Sequence, residues 1–347
     1  MTITELRQLV IQWDLHDSAE QMETTSQYQA MLDRLDWFGS TEWAGYLPAH
    51  DPKHSGNYLF RLAQWLGNVS SDDDRKLLLE FALHVGFLSH ADLCSLYHTA
   101  VSGPIRRWIV ELERLSLDDP DFEAKLEQEV HQCTWYCPIT DSMDINEFYH
   151  VNHIVGVKHR PSFALLRMLD KPTDDTVGSE PSRVIANIKK FVQDPSGRGT
   201  APSLKRVVLL EDFVGSGVQA AGALDWALNN LDIPILFIPL VICAPGITKL
   251  SQLEDNPRLI IRPLFKLDEC DLLGPNRNGA EGIPNAELIE ALAMSTFKLV
   301  AGEHHNDDKV PPHTPFGFHE TGSYFVTYSN SPNNTLPMIH HMSVAGD

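Results

Sequence analysis

The chain has 347 residues, 43% of them hydrophobic, which is enough to bury a sizeable core in one large domain or two. Its formal net charge of -20 argues against an extended electrostatic footprint on DNA, RNA or an anionic membrane, since such binding needs clustered Lys and Arg. A phosphate site in this chain must therefore be local and built partly from backbone.

No apolar run reaches the roughly 18 residues of a membrane-spanning helix, and the opening Met1-Thr2-Ile3-Thr4-Glu5-Leu6 lacks the basic-then-apolar plan of a signal peptide. A cytoplasmic protein is expected. The five cysteines, Cys94, Cys133, Cys137, Cys243 and Cys270, are odd in number and scattered, so free and mostly buried thiols are expected rather than a disulfide framework.

Up to about residue 130 the pattern is helical. "LRQLVIQWDL" and "QYQAMLDRLDWF" place apolar residues three and four apart, and "SSDDDRKLLLEFALHVGFL" opens on Ser and Asp residues suited to a helix N-terminus. In "SHADLCSLYHTAV", Ser89 and Asp92 have the spacing of a capping box, and "IRRWIVELERL" follows. Trp13, Trp65 and Trp108 fall among aliphatics at helical spacing and read as core.

From Cys133 the texture changes. "CTWYCPIT" is short, aromatic and β-prone, "INEFYHVNHI" and "SRVIANIKKFVQ" are helix-like, and polar loops occupy 171–182 and 194–203. Then come the strand "RVVLL", a helix at "VQAAGALDWALNN", the strand "ILFIPLVIC", a short helix from Ile247 and the strand "RLIIRPLFKL". Strand and helix in alternation, with continuous apolar strands, predict an open parallel sheet with covering helices and both faces buried. The tail has loops at 273–285 and 302–317, then "GSYFVTYSNSPNNTLPMI", a strand and a tight polar turn. The expected division is a helical region, 1–130, followed by an α/β domain, 131–347.

The stretch with most chemistry is "RVVLLEDFVGSGVQ". Ligands of open α/β sheets collect at the carboxyl ends of strands, and there Glu211 and Asp212 precede Gly215, Ser216 and Gly217, whose turn can aim successive N–H groups into one concavity at a helix start. With Val218 and Gln219 these residues make a candidate phosphate cradle. The acids would repel a phosphate in contact with them, so neutral hydroxyls, or a divalent cation held by the ligand, are their expected partners. A sugar phosphate has both ends of this pattern. No Gly-Lys-Ser or Gly-Lys-Thr follows, as in a P-loop, and the acids precede the glycines, unlike a dinucleotide fingerprint. The plainer alternative, Asp212 as a simple helix cap, explains neither the second acid nor the doubled glycine.

At these residues the chain resembles the type I phosphoribosyltransferases: four apolar residues (Val207 to Leu210), two acids, two apolar residues, then a small, glycine-containing turn. It departs at Gly215, where Thr, Ser or Ala is usual, and at Gln219, where Thr or Ser is usual. With "CPITDSMDINEFYHVN" and "SNSPNNTLPMI" added, it resembles more closely the phosphoribosyltransferase-like effectors (PRTase-CE) of bacterial conflict systems, including retron-type anti-phage loci. The resemblance implies a phosphoribosyltransferase-type open sheet, with Gly215 to Gln219 on the 5′-phosphate and Glu211 and Asp212 as the catalytic pair on the ribose hydroxyls. It implies Mg²⁺ bound through ligand pyrophosphate, with no metal ligand assigned in the protein, and chemistry at ribose C1 of phosphoribosyl pyrophosphate or a nucleotide. By position, Thr140, Asp141 and Ser142 correspond to the pyrophosphate loop, and Asn333, Asn334 and Thr335 to a hood over the site. The partners implied are products of a defence operon, such as a reverse transcriptase, with no direct nucleic-acid or membrane binding.

Two readings stay open at several points. Asp141 or Ser142 either contacts ligand or caps the helix at "INEFYHVN", and "NSPNNTLP" is either a hood or a turn. The loop "PITDSM" lacks the usual basic residue, with Lys158, His159 and Arg160 as nearby candidates, so a nucleotide-sensing module that regulates a partner stands beside the enzyme. His131, Cys133, Cys137, His150 and His153 do not have standard zinc spacing and read as core and surface groups. His304, His305, His340 and His341 read as solvated.

Overall fold

The computed structural model describes residues 1–21, 26–45, 58–140, 142–155, 180–197, 199, 202–301, 313–328 and 331–340. In chain order the first elements are α1 (Ile3–Gln21), α2 (Gln27–Ser40), α3 (Tyr58–Gly67), α4 (Asp72–Ala82), β1 (Gly86–Leu88), α5 (His90–Ala100), α6 (Arg106–Glu113) and α7 (Phe122–Gln132). There follow β2 (Thr134–Pro138), α8 (Ile145–Val151), α9 (Glu180–Gln193), β3 (Arg206–Val214), α10 (Val218–Asn230), β4 (Ile235–Cys243) and α11 (Ala244–Ser251). The chain continues with β5 (Leu259–Ile261), β6 (Phe265–Leu267), α12 (Ala286–Ala301), β7 (His313–Thr314), β8 (Gly317–Phe318), β9 (Phe325–Thr327) and α13 (Pro337–His340). Among the described residues no helix is long and apolar enough to cross a membrane.

Two compact units result, one of Met1–Asp92 with Asp268–Asp347 and one of Leu93–Leu267. They do not follow a linear division at residue 130, because the C-terminal stretch shares its core with the first helices. Leu6, Val10 and Trp13 of α1, Leu32 and Leu35 of α2, and Leu62 and Leu66 of α3 pack in one cluster with Ile289 and Ala293 of α12, Tyr324 and Leu336. Sequence periodicity shows that each helix has an apolar face but not which distant helix covers it. In this unit β1 pairs in parallel with β9, a pairing between segments more than 230 residues apart that no local pattern signals.

Helix α2 is held by a cap from outside itself. Its own N-cap, Ser26, makes no side-chain cap bond. Instead Asp14, 2% exposed on α1, accepts from the Tyr28 N–H at 2.9 Å, the Gln29 N–H at 3.1 Å and the Gln29 amide at 3.0 Å. Asp14→Ala leaves those first-turn donors without their acceptor and is expected to destabilise this unit by about 2 kcal/mol. An unchanged denaturation midpoint would show that the cap contributes nothing.

The second unit is built on a parallel sheet in the order β2-β3-β4-β5, with β6 also paired to β4. All nine residues of β4 are buried, as its unbroken apolar run requires of a strand covered on both faces. On one face Trp135, Val207, Leu209, Ile235 and Phe237 pack with Ile188 of α9, Leu224 and Leu228 of α10, and Leu250 of α11. On the other, the Tyr136 hydroxyl donates to the Val130 carbonyl of α7 at 3.0 Å, and Tyr149 of α8 donates to the Tyr136 carbonyl at 3.0 Å. The expected α/β fold with an open parallel sheet is thus present.

Three boundaries differ from the reading of the sequence. The expected strand "RLIIRPLFKL" is two strands in one continuous register against β4, and the break falls where Pro263 stands opposite Pro239 and neither has an N–H for the ladder. Helix α11 starts at Ala244 rather than Ile247, because Pro245 sits in its first turn, where a missing N–H costs nothing. Strand β3 runs on to Val214 rather than stopping at Leu210, since Phe213 and Val214 still pair with Val241 and Ile242.

Candidate active site

Strand β2 ends where β3 still has four residues to run. Pro138 pairs with Leu210, and the Ile139 N–H continues the ladder to the Leu210 carbonyl at 2.9 Å, which delivers Thr140 to the side of Glu211. Glu211 is 5% exposed, and both of its oxygens meet that residue: Oε2 accepts the Thr140 N–H at 3.0 Å and Oε1 accepts its hydroxyl at 2.8 Å. A buried carboxylate needs such donors to offset its lost hydration.

The next acid is placed differently. Asp212 is half-buried, and its Oδ1 accepts from the Ser142 hydroxyl at 2.9 Å and from the Phe213 N–H at 2.8 Å. The Thr140 and Ser142 hydroxyls lie 2.6 Å apart, so Glu211, Thr140, Ser142 and Asp212 form one connected chain. Ser142 does not cap the following helix: Asp144 does, accepting from the Asn146 and Glu147 N–H groups at 3.0 and 3.1 Å. Asp141, Lys158, His159 and Arg160 lie outside the described residues.

Directly after β3, Gly215, Ser216 and Gly217 turn the chain into α10, with Gly217 at the N-cap in the left-handed region, φ 76°. That conformation suits glycine, and space demands it too, since a Cβ there would come within 3.0 Å of the Gly246 Cα and 3.1 Å of its carbonyl oxygen. Gly246 answers in kind, because a Cβ on it would stand 2.7 Å from the Gly215 carbonyl. The loop and α11 are therefore in backbone contact. Among the described residues the N–H groups of Gly215, Ser216, Gly217 and Val218 donate no hydrogen bond, leaving the positive end of a 13-residue helix available to an anion. Gln219 is exposed in the first turn. Gly246→Ala should push the loop off α11 and lower the stability of this unit by about 1–3 kcal/mol, read as an earlier thermal transition. An unshifted transition would mean that the loop yields freely. The signal for Gly246 was present in "CAPG", a strand end followed by Pro and Gly, but only the fold shows what it touches.

Asn333, Asn334 and Thr335 belong to the other compact unit. There the Asn333 carbonyl accepts the Phe318 N–H at 2.8 Å, the Asn334 amide donates to Phe318 and Thr321, and the Thr335 hydroxyl donates to the Phe325 carbonyl at 2.6 Å. Those bonds tie a turn to β8 and β9. Of the residues weighed as zinc ligands, Cys133 and Cys137 are buried core thiols, burial pushes the Cys133 thiol up, and His131 pairs with Glu127 at 2.8 Å. Trp13 and Trp108 are buried, and the Trp65 indole donates to the Met338 carbonyl at 2.7 Å. His304, His305 and His341, and the side chain of His340, lie outside the described residues.

The sheet is parallel, with paired acids near the end of one strand and a glycine turn into a helix after them. The family model PRTase-CE matches residues 62–344, and the chain belongs to that family. The match begins within α3, well before the sheet, so it takes in helices of the first compact unit as well. No curated protein and no solved structure matches the chain.

Proposed function

We propose that the chain is a phosphoribosyltransferase-like effector, acting in the cytoplasm, that binds a ribose 5-phosphate ligand and makes or breaks the glycosidic bond at ribose C1. The observation that carries this reading is the juxtaposition of Asp212, tied to the hydroxyl loop of Thr140 and Ser142, with the turn Gly215 to Gly217 that starts α10. The turn presents N–H groups to the 5′-phosphate, and Gln219 adds an amide at its rim. Asp212 accepts the ribose hydroxyls, and Glu211 holds the loop that flanks them.

Bond cleavage at C1 sends the electron pair to the leaving oxygen and leaves a cationic, oxocarbenium-like centre, which the carboxylates on the same side favour electrostatically. An acceptor nitrogen, or water, then closes the new bond to C1 and gives up its proton to solvent. No protein nucleophile is needed. The hard oxygens of the half-exposed Asp212 suit a ligand carrying Mg²⁺ on its pyrophosphate, whereas both oxygens of Glu211 are engaged by Thr140. Mg²⁺ bound in that way supplies charge neutralisation on the leaving pyrophosphate.

A second reading, a nucleotide sensor that regulates a partner without turnover, is favoured by one feature: the segment Pro138 to Asp144 carries no Lys or Arg to face pyrophosphate. Family membership supports the effector role, and products of a defence operon, such as a reverse transcriptase, are the partners proposed for it. Calorimetry of phosphoribosyl pyrophosphate with and without Mg²⁺, followed by analysis for released pyrophosphate, tests the function. Mg²⁺-dependent binding with release supports the enzyme, binding without release the sensor, and no binding by folded protein removes both.

A further inference from the structure

The proposed cradle has an electrostatic problem. A 5′-phosphate carries close to two negative charges and would sit next to Glu211 and Asp212 in a chain of net charge -20, yet neither the loop Pro138 to Asp144 nor the first turn of α10 supplies a cation. Backbone N–H groups and a helix end carry partial charge only, equivalent to about half an elementary charge. A full positive charge within reach would change the balance.

One is found on α11. Gly246 and Lys249 are three residues apart and so share one face of that helix. This is the face pressed on the glycine turn: Gly246 meets the Gly215 carbonyl, and the Lys249 Cβ lies 3.1 Å from where a Cβ on Gly217 would stand. The Lys249 side chain is exposed, and it makes no ion pair among the described residues. A lysine in the last turn of a helix also suits the helix dipole, but that would be served on any face. Its flexible four-carbon stem starts beside the residue that caps α10 and can swing its ammonium over the turn. Gly246 is the reason it can do so, because any side chain there would hold α11 away from the loop.

We propose that Lys249 is a ligand-binding residue of this site, its ammonium contacting the 5′-phosphate held by Gly215 to Gln219. The proposal rests on the sugar-phosphate reading above and deepens it by assigning the cation that the first loop lacks. α11 thus has two duties on one face, close approach at Gly246 and charge at Lys249.

The test is calorimetric titration of wild type, Lys249→Ala and Lys249→Arg with ribose 5-phosphate, with phosphoribosyl pyrophosphate and with inorganic pyrophosphate, all at one ionic strength with Mg²⁺. Lys249→Ala should weaken both 5′-phosphate ligands about tenfold and leave pyrophosphate within twofold, and Lys249→Arg should restore most of the loss. Because Lys249 is exposed, the thermal transition of each variant should match wild type. Wild-type binding beside an unchanged Lys249→Ala overturns the role of Lys249 alone, as does equal weakening of all three ligands, which would mark a general field effect. A wild type that binds none of the three overturns the sugar-phosphate reading itself, and the assignment with it.

Discussion

Asp212→Asn is expected to keep the protein folded and to weaken Mg²⁺-dependent binding of phosphoribosyl pyrophosphate at least tenfold, whereas Glu211→Ala is expected to act first on stability. The two acids are adjacent in sequence but do different work. Asparagine has the shape of aspartate, and its Oδ1 can still accept from the Ser142 hydroxyl and the Phe213 N–H, so the local structure survives and only the charge is removed. The stability change should therefore stay within about 1 kcal/mol. Glu211 is buried, and Thr140 uses both of its oxygens. Truncation leaves the Thr140 N–H without its acceptor at a buried site and the Thr140 hydroxyl with only the Ser142 hydroxyl as partner, and should cost about 2–3 kcal/mol. Denaturant unfolding and ligand titration on both variants separate the two effects. Equal loss of affinity in both at unchanged stability would show that the two acids share one ligand-facing role, and would remove the division argued here.

The parts of the site that were legible in the sequence are those whose geometry is local. The run Arg206 to Leu210 reads as a buried strand, though one that stops four residues short of the end of β3, and Gly215 to Gly217 reads as a turn into a helix; β4 and α10 fall at Ile235–Cys243 and Val218–Asn230, where the apolar runs place them. The capping box of Ser89 and Asp92 also forms, with the Asp92 N–H donating to Ser89 Oγ at 3.1 Å and the Ser89 N–H to Asp92 at 2.9 Å. What was not legible depends on pairs far apart in the chain. That Glu211 spends its carboxylate on Thr140, 71 positions earlier, follows only from the β2–β3 register. That Asp14 caps α2, or that β1 pairs with β9, follows only from how helices and strands are brought together. "CAPGITK" reads as an ordinary strand-to-helix turn until the backbone contact between Gly246 and Gly215 gives its glycine a reason.

At the other end of β3 from the acids, the strand is moored by charge, and breaking that mooring should have the largest effect on stability. Arg206, fully buried, donates to Glu113 of α6 and to Glu129 of α7, the latter at 2.7 Å, and Lys205 meets Glu129 at 2.5 Å. Removing one member leaves a buried charge with only part of its compensation, since Arg206 keeps Glu113 and Glu129 keeps Lys205, so Glu129→Ala or Arg206→Ala should cost about 3 kcal/mol. Replacing Arg206, Glu113 and Glu129 together with apolar residues of matching volume should cost far less, since buried ion pairs gain little over good packing. Burial alone would raise the Glu129 carboxyl, but the hydrogen bonds from Lys205 and Arg206 outweigh it and hold the group below its usual value. A carboxylate with a depressed folded-state pKa contributes stability that is fully present above its unfolded value, near 4.5, and is lost as pH falls through the folded one. Amide protection factors in β2 and β3, from which the intrinsic pH dependence of exchange is divided out, should accordingly fall on acidification below about pH 4.5 in the wild type and depend less on pH in that range in Glu129→Gln, which has no proton to take up. Parallel pH profiles for the two proteins would mean that Glu129 does not carry this dependence, and that β3 is anchored by its apolar contacts alone.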